Sequence, residues 1–98
     1  MNISFVDFAK VELDEAAAYY DNQRSGLGDE FRDEVRRVTD RILEDPTSLP
    51  KYTQNSRMCR THRFPYGIIY QIRQDQIRIV AVMHLHRDSD YWKDRLEG

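Results

Sequence analysis

Imidazole, guanidinium and aromatic groups collect near the end of this chain. An apolar run, Ile77-Arg78-Ile79-Val80-Ala81-Val82-Met83, exits into His84, His86 and Arg87, and Tyr91-Trp92 follow. Imidazole exchanges protons near neutral pH. The guanidinium fork grips phosphate or carboxylate through two parallel hydrogen bonds. Such groups at a strand exit make either a polar site or a contact surface. His84 and His86 also stand at strand spacing, on one face, where Asp88 or Asp90 would be needed to complete a metal site. A hydrogen-bonded structural pair is the simpler reading, and no metal is expected.

The elements that position these groups follow from periodicity. Ile3-Ser4-Phe5-Val6-Asp7-Phe8 alternates as a short strand. From Ala9 the period becomes helical: Ala9, Leu13, Ala16, Ala17 and Tyr20 share one face. Gly26 is a natural stop. Asp29 is the candidate N-cap of a second helix with the stripe Phe31, Val35, Val38 and Ile42, ended near Asp45 by Pro46. Two helices joined so tightly form an antiparallel hairpin, which needs a sheet to cover its stripes. Thr47 to Asn55 reads as a polar loop. Three strands are then expected, at Arg57 to Arg63, Tyr66 to Arg73 and Ile77 to His86, the last two joined as a hairpin by Gln74-Asp75-Gln76. In the last strand strict alternation puts Ile77, Ile79, Ala81, Met83 and Leu85 on one face, and Arg78, Val80, Val82, His84 and His86 on the other. Asp88 or Ser89 would cap a final short helix through Leu96.

The expected fold is therefore α+β: a small, mostly antiparallel sheet with an N-terminal helical hairpin on one face, in the order β-α-α-β-β-β-α. The basic strands and the His/Arg ends are expected to line the other, partly open face. Tyr91-Trp92 would anchor the last helix, and Tyr19, beside the inward Tyr20, would be left for an intermolecular contact.

The chain has 98 residues, enough for one domain spanning 1–98. No stretch is long and apolar enough to span a membrane, residues 1–8 lack the pattern of a signal peptide, and Cys59 is alone, so a cytoplasmic location is expected. The net charge of -2 conceals an asymmetry. Residues 1–50 hold 6 basic and 12 acidic residues, and residues 51–98 hold 9 and 5. No acid occurs between Pro46 and Gln74, where Lys51, Arg57, Arg60, Arg63 and Arg73 do. A face of that sign suits an acidic partner.

Several pieces, in order and at similar spacing, resemble the RelE/ParE superfamily of type II toxins, in its ParE-like, "plasmid stabilisation" branch. They are Leu13, Ala16, Ala17 and Tyr20-Asp21; Gly26-Leu27-Gly28-Asp29-Glu30-Phe31; Pro46 and Pro50; Phe64-Pro65-Tyr66 with Ile69-Tyr70; and Ile79-Val80-Ala81-Val82 with His84, Arg87, Tyr91-Trp92 and Arg95. The resemblance implies a cognate antitoxin that wraps the toxin, a hetero-oligomeric complex, no cofactor, and inhibition of DNA gyrase by protein binding rather than catalysis. Antitoxin- or target-binding candidates are Arg57, Arg60, Arg63, Arg78, His84, His86, Arg87, Tyr91 and Trp92. The alternative it implies is a metal-independent, ribosome-dependent mRNA endoribonuclease using Arg63, His86, Arg87 and Tyr91, or a non-toxic member that only binds its antitoxin. Such nucleases commonly carry an Arg after the Tyr that opens the second-last strand. Here Gly67 follows Tyr66, and the slightly acidic balance also disfavours approach to RNA.

Overall fold

In the computed structural model, which describes residues 1–87 and 90–97, β1 (Asn2–Phe5) leads directly into α1 (Asp7–Gln23) and α2 (Leu27–Glu44). Four strands follow: β2 (Lys51–Thr53), β3 (Ser56–Arg60), β4 (Tyr66–Arg73) and β5 (Gln76–His84). A single 3-10 turn, Lys93–Leu96, stands where a short helix was expected. The proposed caps Asp88 and Ser89 lie outside the described residues. The strands form one sheet in the order β1-β5-β4-β3-β2. β1 runs parallel to β5, pairing Asn2 with Gln76 through Phe5 with Ile79, and the other pairings are antiparallel.

The helical stripes bury as their spacing requires. Ala9, Ala16, Ala17 and Tyr20 of α1, and Phe31, Val35, Val38 and Ile42 of α2, meet Tyr66, Ile68, Tyr70, Ile77, Ile79 and Val82 of the sheet. The hairpin closes through residues 24–26, where Gly26 takes the left-handed conformation at φ 88°. Helix α2 therefore starts at Leu27, and Asp29 sits in its first turn instead of capping it. There its carboxylate faces the positive end of the helix dipole. Gly28 is where the two helices touch. Its N–H donates to Asp21 Oδ1 at 2.7 Å, and a Cβ at this position would lie 2.3 Å from the Ala17 carbonyl oxygen.

Three sequence expectations are corrected. Part of the loop before β3 forms β2, whose Lys51 pairs with Arg57. Strand β3 ends at Arg60, so Arg63 lies in the loop to β4. The strict alternation of β5 fails at Val80. Ile69 pairs with Ala81 but Tyr70 pairs with Ile79, which leaves Val80 as an extra residue. Such a bulge reverses the phase of the side chains beyond it. Ile77, Ile79 and Val82 consequently face the helices, while Ala81 and Met83 join Ile69, Val80 and Trp92 in a second cluster. That cluster is covered by the C-terminal segment through Trp92 and Leu96, so the second face is less open than expected.

Candidate functional site

Strand β1 stops opposite Ile79, and α1 crosses above that point. Between α1 and the upper end of β5 lies a cleft of about 570 Å³. Its walls are Glu12, Glu15, Ala16 and Tyr19 from α1, with Arg87 and Tyr91 from the segment after β5. Tyr66, Val82 and His84 from the sheet complete the lining.

One carboxylate organises the inner wall. Glu12 Oε1 accepts the Val82 backbone N–H at 3.0 Å and the Arg95 guanidinium at 3.0 Å. Arg95 also donates to the Val80 carbonyl at 3.0 Å. Together these two side chains satisfy the strand edge that β1 leaves uncovered, as a neighbouring strand would. Both are largely buried, with side chains 16% and 20% exposed for Arg95 and Glu12. The guanidinium lies between the rings of Phe8 and Tyr91, 5.0 and 5.1 Å from their centroids. Burial first, then the charge and contact of the Glu12 carboxylate, push the Tyr91 pKa well above the ordinary phenol range.

The outer wall carries the imidazoles. The bulge turns His84 to the helix side, against Tyr66, with ring centroids 5.1 Å apart. The expectation that the His/Arg end lines the opposite face is thus corrected for His84. His86 lies beyond the end of β5, and its backbone N–H donates to His84 Nδ1 at 3.1 Å. Burial first, then the charges of Arg87 and His86, lower the His84 pKa, which favours the neutral imidazole. Arg87 lines the cleft and makes no ion pair with any described residue.

The sequence candidates divide by these contacts. His84, Arg87 and Tyr91 share the cleft, and His86 touches it through His84. Arg63 is held on α2, 2.8 Å from Glu30, with its guanidinium over Phe64. Arg57 donates to the carbonyls of Thr47 and Leu49 and so pins the loop before β2. Arg78 donates to Gln71 Oε1 at 2.7 Å and to the Arg95 carbonyl. Arg60 is exposed at the end of β3, opposite Gly67. Trp92 is fully buried in the second cluster, and its Nε1 has no hydrogen-bond partner among the described residues. Glu12 and Tyr66 were not recognised as site residues. Val82, the N–H partner of Glu12, is 70 positions away, and no local pattern signals such a contact.

Chemically the cleft offers the Arg87 guanidinium, the Glu12 and Glu15 carboxylates, the His84 imidazole and three tyrosines, Tyr19, Tyr66 and Tyr91. With its pKa raised so far, Tyr91 is a poor exchangeable acid near neutral pH. Among the described residues no group of three His, Cys, Asp or Glu side chains is placed to hold a metal ion. Among them, too, no helix is long and apolar enough to cross a membrane.

Comparison with known proteins agrees with this architecture. No curated protein sequence is similar enough to match. Among solved structures, the chromosomal ParDE toxin–antitoxin system of P. aeruginosa contains a chain of the same fold. It superposes with a TM-score of 0.66 at 13% identity, over 88% of this chain and 97% of that one. Residues 3–89 match the family described as the ParE toxin of the type II toxin–antitoxin system parDE. With most of its length inside that match, and with the strand order and helical hairpin in place, this chain belongs to the ParE toxin family.

Proposed function

We infer that this protein acts by docking rather than by catalysis: the aromatic cleft is a contact surface, bound by a cognate antitoxin in a cytoplasmic hetero-oligomer, and the toxic target is DNA gyrase. The observation that carries this reading is the state of the polar groups in the cleft. The Tyr91 hydroxyl is held protonated beside Glu12, while Arg87 makes no ion pair with any described residue and shares the cleft with the exposed ring of Tyr19, which is 55% accessible. Arg and Tyr are the side chains that dominate the energetics of protein interfaces. Gly67 supports the same reading. A side chain there would lie against Met58 Sδ, 2.6 Å from the added Cβ, on the face away from His84, so an Arg in this position would not enter the cleft.

A paired assay on antitoxin-free protein tests the inference. Gyrase supercoiling is followed in one reaction and ribosome-programmed mRNA integrity in the other. Loss of supercoiling with intact message is expected. Cleaved message with normal supercoiling would overturn it. One observation favours that second reading: a neutral His84 beside Arg87 is a pairing of base and cation suited to attack of a 2′-hydroxyl on a phosphate. The nuclease would then need His84, since Arg63 is held on Glu30.

A further inference from the structure

The end of the sheet away from this cleft gathers cations. An open cleft of about 460 Å³ lies between the β2–β3 turn, the end of β4 and the C-terminal turn, bordered by Lys51, Arg57, Arg73 and Lys93. A smaller one of about 260 Å³ adjoins it through Arg73 and adds Arg78. Five cations from five elements border these clefts, and Glu97 is the one acid among the described lining residues. Lys93 also pairs with Asp90 at 2.9 Å. Arg57 and Arg78, by contrast, donate to carbonyl and amide oxygens. These neutral acceptors engage Nη1 of each guanidinium and leave its charge uncancelled. Lys51 stands directly opposite Arg57 in the sheet, and like charges in that relation destabilise a sheet unless an anion lies between them. Arg78 is held below the usual guanidinium range by burial and, secondly, by the nearby Arg73 cation.

What lies between the cations decides the partner. Gln54, Asn55, Ser56 and Gln71 supply amide and hydroxyl groups. Of the apolar lining residues, Tyr70 is fully buried and only Ile72 and Leu96 reach partway to the surface. A protein interface is built around aromatic or aliphatic anchors in its desolvated centre. Contacts to a nucleic-acid backbone are made by Arg and Lys with Ser, Asn and Gln. We propose that this face binds the phosphate backbone of duplex DNA without reading its bases. The helical side carries the opposite sign, twelve acids against six bases between residues 7 and 45, so the same field orients the hairpin away from the duplex. The surface is distinct from the aromatic cleft, and the proposal stands whether or not gyrase is the target.

The test is fluorescence anisotropy of a labelled DNA duplex of arbitrary sequence, titrated with the purified protein over a range of salt concentrations. Binding at low salt is expected, insensitive to sequence. With about three phosphates engaged, log K should fall against log salt with a slope of about -3. The variant K51Q/R73Q alters two exposed side chains and should keep the wild-type circular dichroism spectrum, which shows that the fold is intact. It should lower the slope by about 2. The variant K10Q/R36Q removes the same charge from the helical side and should leave binding unchanged. Three results would overturn the proposal: no binding at low salt, equal losses in the two variants, or displacement of DNA by a poly-glutamate peptide at matched charge concentration. The last would assign the face to an acidic protein instead.

Discussion

Replacing Gly28 with Ala tests whether the helical hairpin is set by a single close contact. In a first helical turn free of neighbours, Gly to Ala would stabilise the protein by about 0.4–1 kcal/mol, because the unfolded chain loses freedom. Gly28 is not free of neighbours. The added Cβ would lie 2.3 Å from the Ala17 carbonyl oxygen and 2.7 and 2.8 Å from Cγ and Oδ1 of Asp21. The first distance is more than 1 Å inside the roughly 3.5 Å at which non-bonded atoms settle. A side chain can rotate away from such a clash, but a backbone carbonyl within α1 cannot. The hairpin must open instead, at a typical overpacking cost of about 1–3 kcal/mol. Opening also stretches the hydrogen bond from Gly28 N–H to Asp21, worth about 1 kcal/mol. The net expectation is a loss of about 1–3 kcal/mol, or roughly 5–20 °C in Tm for a domain of this size. Thermal and urea denaturation followed by circular dichroism measure it. Two companion variants isolate the cause. Gly26→Ala has open space and a φ of 88°, so it should lose only the 1–2 kcal/mol or so of a left-handed backbone. Asp21→Ala in the Gly28→Ala background removes two of the three clashing atoms but leaves the carbonyl, so stability should not recover. A Gly28→Ala protein as stable as wild type would refute the reasoning, and so would full rescue by Asp21→Ala.

Three further outcomes follow from the contacts. Glu34 is buried, and burial alone would raise its pKa, but the backbone N–H groups of His62 and Arg63 donate to it and hold it below its ordinary 4.5. A carboxylate depressed in the folded state contributes stability above its unfolded pKa and loses it as pH falls through the folded value. Glu34→Gln should therefore cost about 1–3 kcal/mol at pH 7 and flatten the decline in Tm below about pH 4.5, a decline that Glu30, also lowered, should still partly show. Glu12→Gln weakens the acceptor for Val82 N–H and leaves Arg95 largely buried without its counter-charge. A loss of about 3 kcal/mol is expected in urea denaturation, with faster hydrogen exchange at Val82. Tyr91→Phe removes a hydroxyl held protonated and should leave gyrase inhibition within about threefold of wild type. Arg87→Glu reverses the cation of the cleft and should weaken inhibition and antitoxin binding by about 10-fold or more, the scale of an interface hot spot. Toxicity abolished by Tyr91→Phe in a protein with normal Tm would instead point to proton transfer.

The helices were legible because their apolar stripes repeat over four turns, and β4 because turn residues bound a run rich in Ile and Tyr. The misses have physical causes. A three-residue strand such as β2 is too short to show a period. The bulge at Val80 is invisible in Ile79-Val80-Ala81-Val82, since every residue there suits either face. Asp29 has the chemistry of an N-cap, but the hairpin is closed by the backbone of Gly26, and conformation outweighed the side-chain preference. Four of the candidate site residues, Arg57, Arg63, Arg78 and Trp92, are engaged in holding loops and the C-terminal segment. An Arg that clamps a loop and an Arg that greets a partner look alike in one dimension. The acceptors around each show what it holds, and only a carboxylate among them, as Glu30 is for Arg63, cancels its charge.

The cleft itself traces back to the length of β1. Four residues of β1 pair with a β5 of nine, so the upper part of β5 has one edge without a strand. An unpaired edge of that kind invites association, and the chain meets it with Glu12 and Arg95, which supply an acceptor to Val82 N–H and a donor to Val80 O. Two side chains from α1 and the C-terminal turn occupy less width than a strand would. The remaining space, walled by Tyr19, Tyr66, Arg87 and Tyr91, is the cleft. Its position beside a satisfied edge explains why aromatic rings can line it. The backbone there needs no water, so the rings can approach it, and Arg87 extends beyond the rings to solvent. A longer β1 would give a more regular sheet and no cleft.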